Sequence, residues 1–224
     1  MLDVLLPQRC LVCGAGGPQL CAGCRAALPL LGPPLCERCG APTAWPVRRC
    51  SECSGRRLAF ATARAAVAYD EPVRLLVAGW KERGLRRLAD EAASLMAERL
   101  MHPGDAVLAC IPPDGDRRLK RGYHPAERLA IALGAQWGLT YEPLLVRSGT
   151  SRRQRGLSLP ERRRNVAGAF RAHPGTAARV ILVDDVYTSG ATVSAAASAL
   201  RAAGARRVEV VTFARALRGR TPVG

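Results

Sequence analysis

The chain has 224 residues, of which 48% are apolar, 23% charged and 4% aromatic. That length and apolar share support one full domain with a sizeable core plus a small appendage, and they exclude a disordered chain. A balance of 34 basic to 18 acidic side chains gives a formal +16, which attracts polyanions, either nucleic acid or a polyphosphorylated small molecule. The plainer reading of that charge is a generally arginine-rich surface. No run of about 18 apolar residues occurs, which argues against a membrane span. The start Met1-Leu-Asp-Val-Leu-Leu6 lacks the basic stretch of a signal peptide. The expected location is cytoplasmic.

Eight of the nine cysteines fall in CxxC pairs: Cys10/Cys13, Cys21/Cys24, Cys36/Cys39 and Cys50/Cys53. In a reducing compartment this spacing points to metal rather than to disulfides. A CxxC turn aims two thiolates at one point, and two turns complete a tetrahedral zinc site with Zn–S bonds of about 2.3 Å. Eight thiolates therefore suit two closed structural Zn sites. Consecutive use of the pairs and a cross-braced use of alternate pairs are both open. The spacer Leu28-Pro-Leu-Leu-Gly-Pro-Pro34 reads as a break between two knuckles and favours consecutive use. A redox role is the rival, but a thioredoxin-type CxxC opens a helix within a βαβ unit, whereas these pairs are flanked by Gly and Pro. The expected division is a cysteine-rich module over residues 1–57 and a larger domain over 58–224. Zinc would stabilise the first part, which has too few apolar residues to fold alone.

After the cysteines, Arg64–Tyr69 alternates like a strand and Asp70-Glu-Pro72 closes it. Helical spacing runs from Val73 to Leu100, divided by Gly84 into two helices. Lys81, Arg83, Arg86 and Arg87 cluster at that division and read first as a solvated helix junction, second as a phosphate contact. Asp105–Ile111 reads as a buried strand ending at Pro112-Pro113, with Cys110 as a core residue rather than a nucleophile. The basic loop Arg117, Arg118, Lys120 and Arg121 follows and could hold a pyrophosphate. His124, beside Pro125, reads as an ordinary loop residue more readily than as an acid–base group. A helix over 126–137 and a short strand over 144–146 come next. Arg147, Arg152, Arg153, Arg155, Arg162, Arg163 and Arg164 then make the most charged stretch, with Gln154, Leu157 and Asn165 among them. Charge this dense repels itself, so the segment suits a lid that closes over an anionic substrate. A nucleic-acid strip is the competing reading, weakened because no aromatic alternates with the arginines.

Val180–Val183 reads as a buried strand ending in adjacent carboxylates, Asp184 and Asp185. Thr188-Ser-Gly-Ala-Thr192 forms a turn, and an alanine-rich helix runs from Val193 to Ala203. A strand, a loop of free N–H groups and a helix N-terminus together suit a phosphate monoester. The carboxylates would face the hydroxyls or the metal of the same ligand. No GxxxxGK[ST] and no GxGxxG is present, which excludes Walker A and dinucleotide fingerprints. A strand over 207–213 completes a βαβ unit and favours a parallel sheet with flanking helices in the α/β class.

The Val180–Val193 stretch resembles the signature by which type I phosphoribosyltransferases bind phosphoribosyl pyrophosphate (PRPP). The whole chain resembles the ComF family, which joins N-terminal zinc knuckles to such a domain. Arg121-Gly-Tyr-His-Pro-Ala-Glu127 is similar to that family's RGxNxxE-like segment, with His124 where asparagine is usual. Arg153-Gln-Arg-Gly-Leu157 and Glu161–Asn165 are similar to its basic loop. The resemblance implies that Asp184 and Asp185 hold the ribose hydroxyls and that Thr188, Ser189, Gly190, Ala191 and Thr192 bind the 5′-phosphate. It also implies that Pro112 and Pro113 form the pyrophosphate turn, that the hood carrying Arg153 and Arg155 closes the site, and that Mg²⁺ travels with PRPP. The implied chemistry is pyrophosphate displacement at the anomeric carbon, with an acceptor that the motif leaves open. A link to DNA uptake, with single-stranded DNA or competence proteins as partners, is implied in the same way. The alternative is a non-catalytic module that handles single-stranded nucleic acid on the same fold.

Overall fold

A computed structural model describes residues 8–113, 123–148 and 168–217. In chain order it contains α1 (Ala22–Ala26), β1 (Ala63–Ala68), α2 (Glu71–Glu82), α3 (Arg87–Arg99), β2 (Val107–Cys110) and α4 (Pro125–Trp137). Then come β3 (Leu145–Arg147), β4 (Phe170–Ala172), β5 (Arg179–Tyr187), α5 (Ala191–Ala202) and β6 (Arg207–Arg215). The runs in β5 and β6 are apolar on both faces, as a strand covered on both sides requires. They form the middle of a four-stranded sheet of order β1–β6–β5–β2 in which every pairing is parallel.

Alternate residues of the strands face opposite layers. Ile181, Val183, Val211 and Phe213 meet α2, α3 and α4 through Trp80, Leu88, Met96, Leu129 and Leu133. Val180, Leu182, Val208 and Val210 meet α5 through Val193, Ala196, Ala197 and Leu200. Asp70 caps α2 by accepting the Val73 N–H at 3.1 Å, with Pro72 in the first turn. Gly84, at φ +71°, separates α2 from α3 where the periodicity breaks. A second, antiparallel ribbon joins β3 to β4, pairing Leu145 with Ala172 and Arg147 with Phe170. β4 has no counterpart among the expected elements, because three residues carry too little alternation to register.

The cysteine module is joined to the sheet on both faces. The spacer between its two halves runs antiparallel to β1: Leu31 donates to the Ala66 carbonyl at 2.9 Å and Ala68 to the Pro29 carbonyl at 2.8 Å. What reads in sequence as a simple break therefore covers the free edge of β1. The first half lays Leu11, Val12 and Leu20 against the α2–α3 side, and Arg25 pairs with Glu98 at 2.6 Å. The second half packs Cys36, Cys39 and Cys53 with Leu58 and Phe60 on the α5 side. No helix among the described residues is long and apolar enough to cross a membrane.

Candidate active site and metal centres

The eight paired cysteines gather as Cys10/Cys13/Cys21/Cys24 and Cys36/Cys39/Cys50/Cys53, the ligand atoms of each set lying within 4.8 Å of one another. Consecutive pairs are thus used, and the cross-braced alternative is not. Sulfur–sulfur separations are 3.8 Å for Cys13–Cys21, 3.6 Å for Cys36–Cys53, 3.5 Å for Cys39–Cys50 and 4.0 Å for Cys50–Cys53. A ZnS₄ tetrahedron with bonds of about 2.3 Å has edges of about 3.8 Å, so the donor sets fit zinc. Burial raises the Cys36 thiol, but backbone groups of Cys39, Cys50 and Arg38 outweigh it and bring the group down to about 7. The same balance, struck by backbone groups of Cys21, Cys13 and Val12, brings Cys10 down to about 6. In the same sets burial pushes Cys39 and Cys53 up, and hydrogen bonds with Cys21 and Cys13 push Cys24 up to about 12, so a metal must displace protons from these thiols as it binds.

The second feature lies at the C-terminal edge of the sheet, where open α/β folds take ligands. β2 stops with Cys110 opposite Val183, and Ile111 donates to the Val183 carbonyl at 3.2 Å. β5 does not end at the carboxylates as its apolar run suggests. It continues to Tyr187, because β6 keeps pairing with it from Asp184↔Thr212 to Tyr187↔Arg215. The last turn of β5 therefore has a partner on one side only. The other side faces the Pro112–Pro113 turn, whose Pro112 carbonyl accepts from Arg147 Nε at 3.1 Å.

Asp184 and Asp185 stand in that crevice. Asp185 is buried, and its Oδ1 accepts the Val186 N–H at 2.7 Å while Oδ2 pairs with Lys81 Nζ. Lys81 comes from α2, so the basic cluster at the helix division is not wholly solvated. Asp184 is half-buried, and its Oδ1 accepts the Asp185 N–H at 3.0 Å. Burial, and then the Asp185 carboxylate, push Asp184 up to about 8, with Lys81 opposing the rise. At neutral pH one of the two carboxyls is thus mostly protonated.

Beyond β5, Thr188 and Ser189 are exposed and Gly190 is buried at φ +72°. A side chain at position 190 would both strain the backbone and collide with the Tyr187 hydroxyl. α5 begins directly after this glycine, which as N-cap has no side chain to offer, in contrast to Asp70 at α2. Ser189 Oγ accepts the Ala191 N–H in a long contact of 3.4 Å, and the first-turn N–H groups beyond it and the Thr192 hydroxyl stand where an anion can use them. Of the sequence-derived site residues, the structure brings together Asp184, Asp185, Thr188, Ser189, Gly190, Ala191 and Thr192 with the Pro112–Pro113 turn alongside. Arg147, the first arginine of the charged stretch, ends β3 and donates to the Pro112 carbonyl, whereas Arg153 and Arg155, with the hood beyond Ser148, lie outside the described residues, as does the 117–121 loop.

Cys110 is buried, as expected of a core residue, and burial pushes its thiol up to about 12. It touches the Tyr141 hydroxyl at 3.4 Å and His124 Nδ1 at 3.7 Å, and Tyr141 donates to Glu127 at 3.1 Å. His124 is thus part of a polar cluster under the crevice rather than an ordinary loop residue. A cavity of about 700 Å³ on the outer face of α5, lined by Arg56, Arg57, Ser194 and Ser198, contains no carboxylate and is not the candidate site. Tyr187, Arg56 and Arg215 are site neighbours that the sequence reading does not include, and for Lys81 it offers a phosphate contact but not Asp185. Their partners are remote in the chain, and the one local signal is a charge, Arg215, at the end of an apolar strand.

Comparison with known proteins places these features. A double zinc ribbon domain matches residues 1–54, and a phosphoribosyl transferase domain matches residues 86–223. Competence protein F of Haemophilus influenzae is 28% identical over 211 residues, covering 88% of this chain and 90% of its own. The DNA utilization protein YhgH of Salmonella typhimurium is 27% identical over 192 residues, covering 82% and 85%. Among solved structures, the glutamine PRPP amidotransferase of B. subtilis aligns with a TM-score of 0.40 and 24% identity over 55% of this chain and 26% of that one. Adenine phosphoribosyltransferase of Thermoanaerobacter pseudethanolicus gives 0.37 and 12% identity, over 59% of this chain and 83% of that one. The chain belongs to the phosphoribosyl transferase domain family, in the ComF arrangement that sets a double zinc ribbon ahead of that domain.

Proposed function

We propose that the crevice binds PRPP and passes its phosphoribosyl group to an acceptor, releasing pyrophosphate. One observation carries this reading: a helix N-terminus that opens on Gly190, capped only by the long Ser189 contact, lies one strand end away from the Asp184–Asp185 pair, with the Pro112–Pro113 turn across the gap. A phosphate at the helix, hydroxyls at the carboxylates and a pyrophosphate at the turn match the three parts of PRPP. Mg²⁺, when bound with the substrate, would neutralise pyrophosphate charge. The residues of the chain orient the sugar and accept hydrogen bonds from its hydroxyls. An ionised Asp184 is the better acceptor, so binding of the sugar favours loss of its proton. The C1–O bond to pyrophosphate breaks as the acceptor's bond to C1 forms, and positioning and charge stabilisation suffice for that exchange. A screen of bases and nucleotides for PRPP-dependent pyrophosphate release tests turnover. Release with at least one acceptor, abolished in Asp184→Ala, is expected; no release with any acceptor overturns the transfer reading.

A second reading is carried by Trp45, which is 68% exposed on the second knuckle, close in sequence to Arg48 and Arg49. Those two arginines and Arg38 line a cavity of about 560 Å³. A base-stacking aromatic and a basic groove on the same knuckle are the two parts that a single-strand binder combines, with Glu37 also lining the groove. Affinity for a single strand, measured against salt, should fall with a log–log slope of about −0.7 per phosphate contact. It should also weaken in Trp45→Ala. A flat slope rejects this second role and leaves the first untouched.

A further inference from the structure

The second zinc cluster and the Thr188–Thr192 loop are linked by a short chain of side chains. Arg215, the last residue of β6, is 1% exposed. Its Nη1 donates to the Cys39 carbonyl at 2.6 Å, and its Nη2 donates to Glu52 at 2.9 Å and lies 3.7 Å from Cys39 Sγ. The same guanidinium lies 4.5 Å from the centroid of the Tyr187 ring. The Tyr187 hydroxyl, in turn, fills the space beside Gly190 that a side chain would need. Phe60, held in the second-knuckle cluster, meets the Tyr187 ring edge-on at 6.3 Å. A separate arm is Arg56, three residues after Cys53, which donates to the Ser189 carbonyl at 2.6 Å.

We propose that Arg215, Tyr187 and Arg56 are positioning residues that tie the second zinc cluster to the phosphate loop. Filling of that cluster and binding of a phosphomonoester at Gly190–Thr192 then strengthen each other. The inference rests on the PRPP-binding reading above and adds a control point to it. Four thiolates on one Zn²⁺ carry a net double negative charge, and a guanidinium donating to a ligand cysteine offsets part of it. With zinc present, the Cys36–Cys53 knuckle is fixed, so Arg215 has a rigid acceptor at the Cys39 carbonyl and lies flat on Tyr187. Tyr187 then limits how far Gly190 moves, and Arg56 draws the Ser189 carbonyl away from the anion site so that the neighbouring N–H groups point into it. Without zinc the knuckle has too little apolar content to hold its shape, and both arms lose their anchor. Among the described residues the first cluster has no such arm, and its apolar neighbours pack on the α2–α3 side of the sheet.

Thermodynamic reciprocity supplies the test: if zinc aids phosphate binding, the ligand must hold zinc by the same factor. Zinc transfer to a chromogenic chelator is titrated to equilibrium on the intact protein, with and without PRPP and Mg²⁺. The transfer step that is missing from Cys50→Ser belongs to the second cluster. PRPP is expected to raise the chelator concentration needed for that step roughly ten-fold, within the usual range of coupling between sites, and to leave the other step unchanged. Arg56→Ala should keep two zinc ions yet bind PRPP about ten-fold more weakly and lose the protection, a size typical when a side chain that orients a site from behind is removed, while Arg56→Lys restores part of both. Arg215→Lys, which keeps the charge but not the fork, should do the same. If Arg215→Lys does not fold, the two variants at the half-buried Arg56 still decide. PRPP binding with no change in zinc release, or full affinity in Arg56→Ala, overturns the coupling and leaves the PRPP reading standing. Failure of the unaltered protein to bind PRPP overturns that reading and the coupling with it.

Discussion

Replacing Asp184 by asparagine should stabilise the protein while removing its ligand affinity, and the effect should depend on pH. The carboxyl is pushed from 3.8 to about 8 by burial and by Asp185. Between those values the folded chain keeps a proton that the unfolded chain has released, so each pH unit lowers the parent's stability by up to about 1.4 kcal/mol. Asparagine resembles the protonated acid and is free of this loss. The full shift sets a ceiling of about 6 kcal/mol. Asp184 is only half-buried, and solvent reduces the expected gain to about 1–3 kcal/mol at pH 8. Since the group's folded value is raised, the difference between variant and parent must grow from pH 4 to pH 8, level off above, and vanish below pH 4. Thermal unfolding of both proteins at pH 4, 6 and 8 with zinc present measures it, at about 2–4 °C per kcal/mol for a chain of this size. Equal stability at pH 8, or a gain that grows toward acid, would refute the claim that Asp184 sits folded in a costly ionisable state.

Three further outcomes follow from the geometry. Gly190→Ala places a methyl group at φ +72° against the Tyr187 hydroxyl. It should cost about 1–3 kcal/mol in chemical denaturation and weaken PRPP binding seen by calorimetry. Lys81→Met leaves the buried Asp185 carboxylate without its cation, and because Lys81 is partly solvated the expected loss is about 1–3 kcal/mol rather than the full value for a buried pair, read from urea unfolding at pH 7. Cys50→Ser removes one ligand of the second cluster. Metal analysis should then fall from two zinc ions per chain toward one, with stability reduced on the α5 side of the sheet as read by amide exchange.

Much of this was legible because the chemistry is local in sequence. The four CxxC pairs, the βαβ unit from Val180 to Phe213 and the break at Gly84 each write their geometry within a few residues. The end of β5 was misjudged by four residues, because pairing with β6 carries a strand through two carboxylates that composition alone would stop at. Lys81 reads as one of a basic cluster, solvated or on a phosphate, since nothing near it in the chain announces Asp185. Arg215 and Cys39 are 176 positions apart, and the contact exists only once the second knuckle has folded against the sheet. Likewise the proline-rich spacer shows its role as an edge cover only beside β1. What sequence conveyed was which groups can do chemistry; which of them meet was decided by sheet order and by where the zinc module docks.

Titration calorimetry of PRPP with Mg²⁺ into the zinc-loaded protein tests the central claim most directly, run beside Asp184→Ala/Asp185→Ala. Saturable one-to-one binding by the unaltered chain, with loss of about 10-fold or more in affinity in the double variant, is the expected result for two charge-assisted acceptors. No heat of binding in the unaltered chain, or equal affinity without both carboxylates, contradicts a PRPP site at the end of β5.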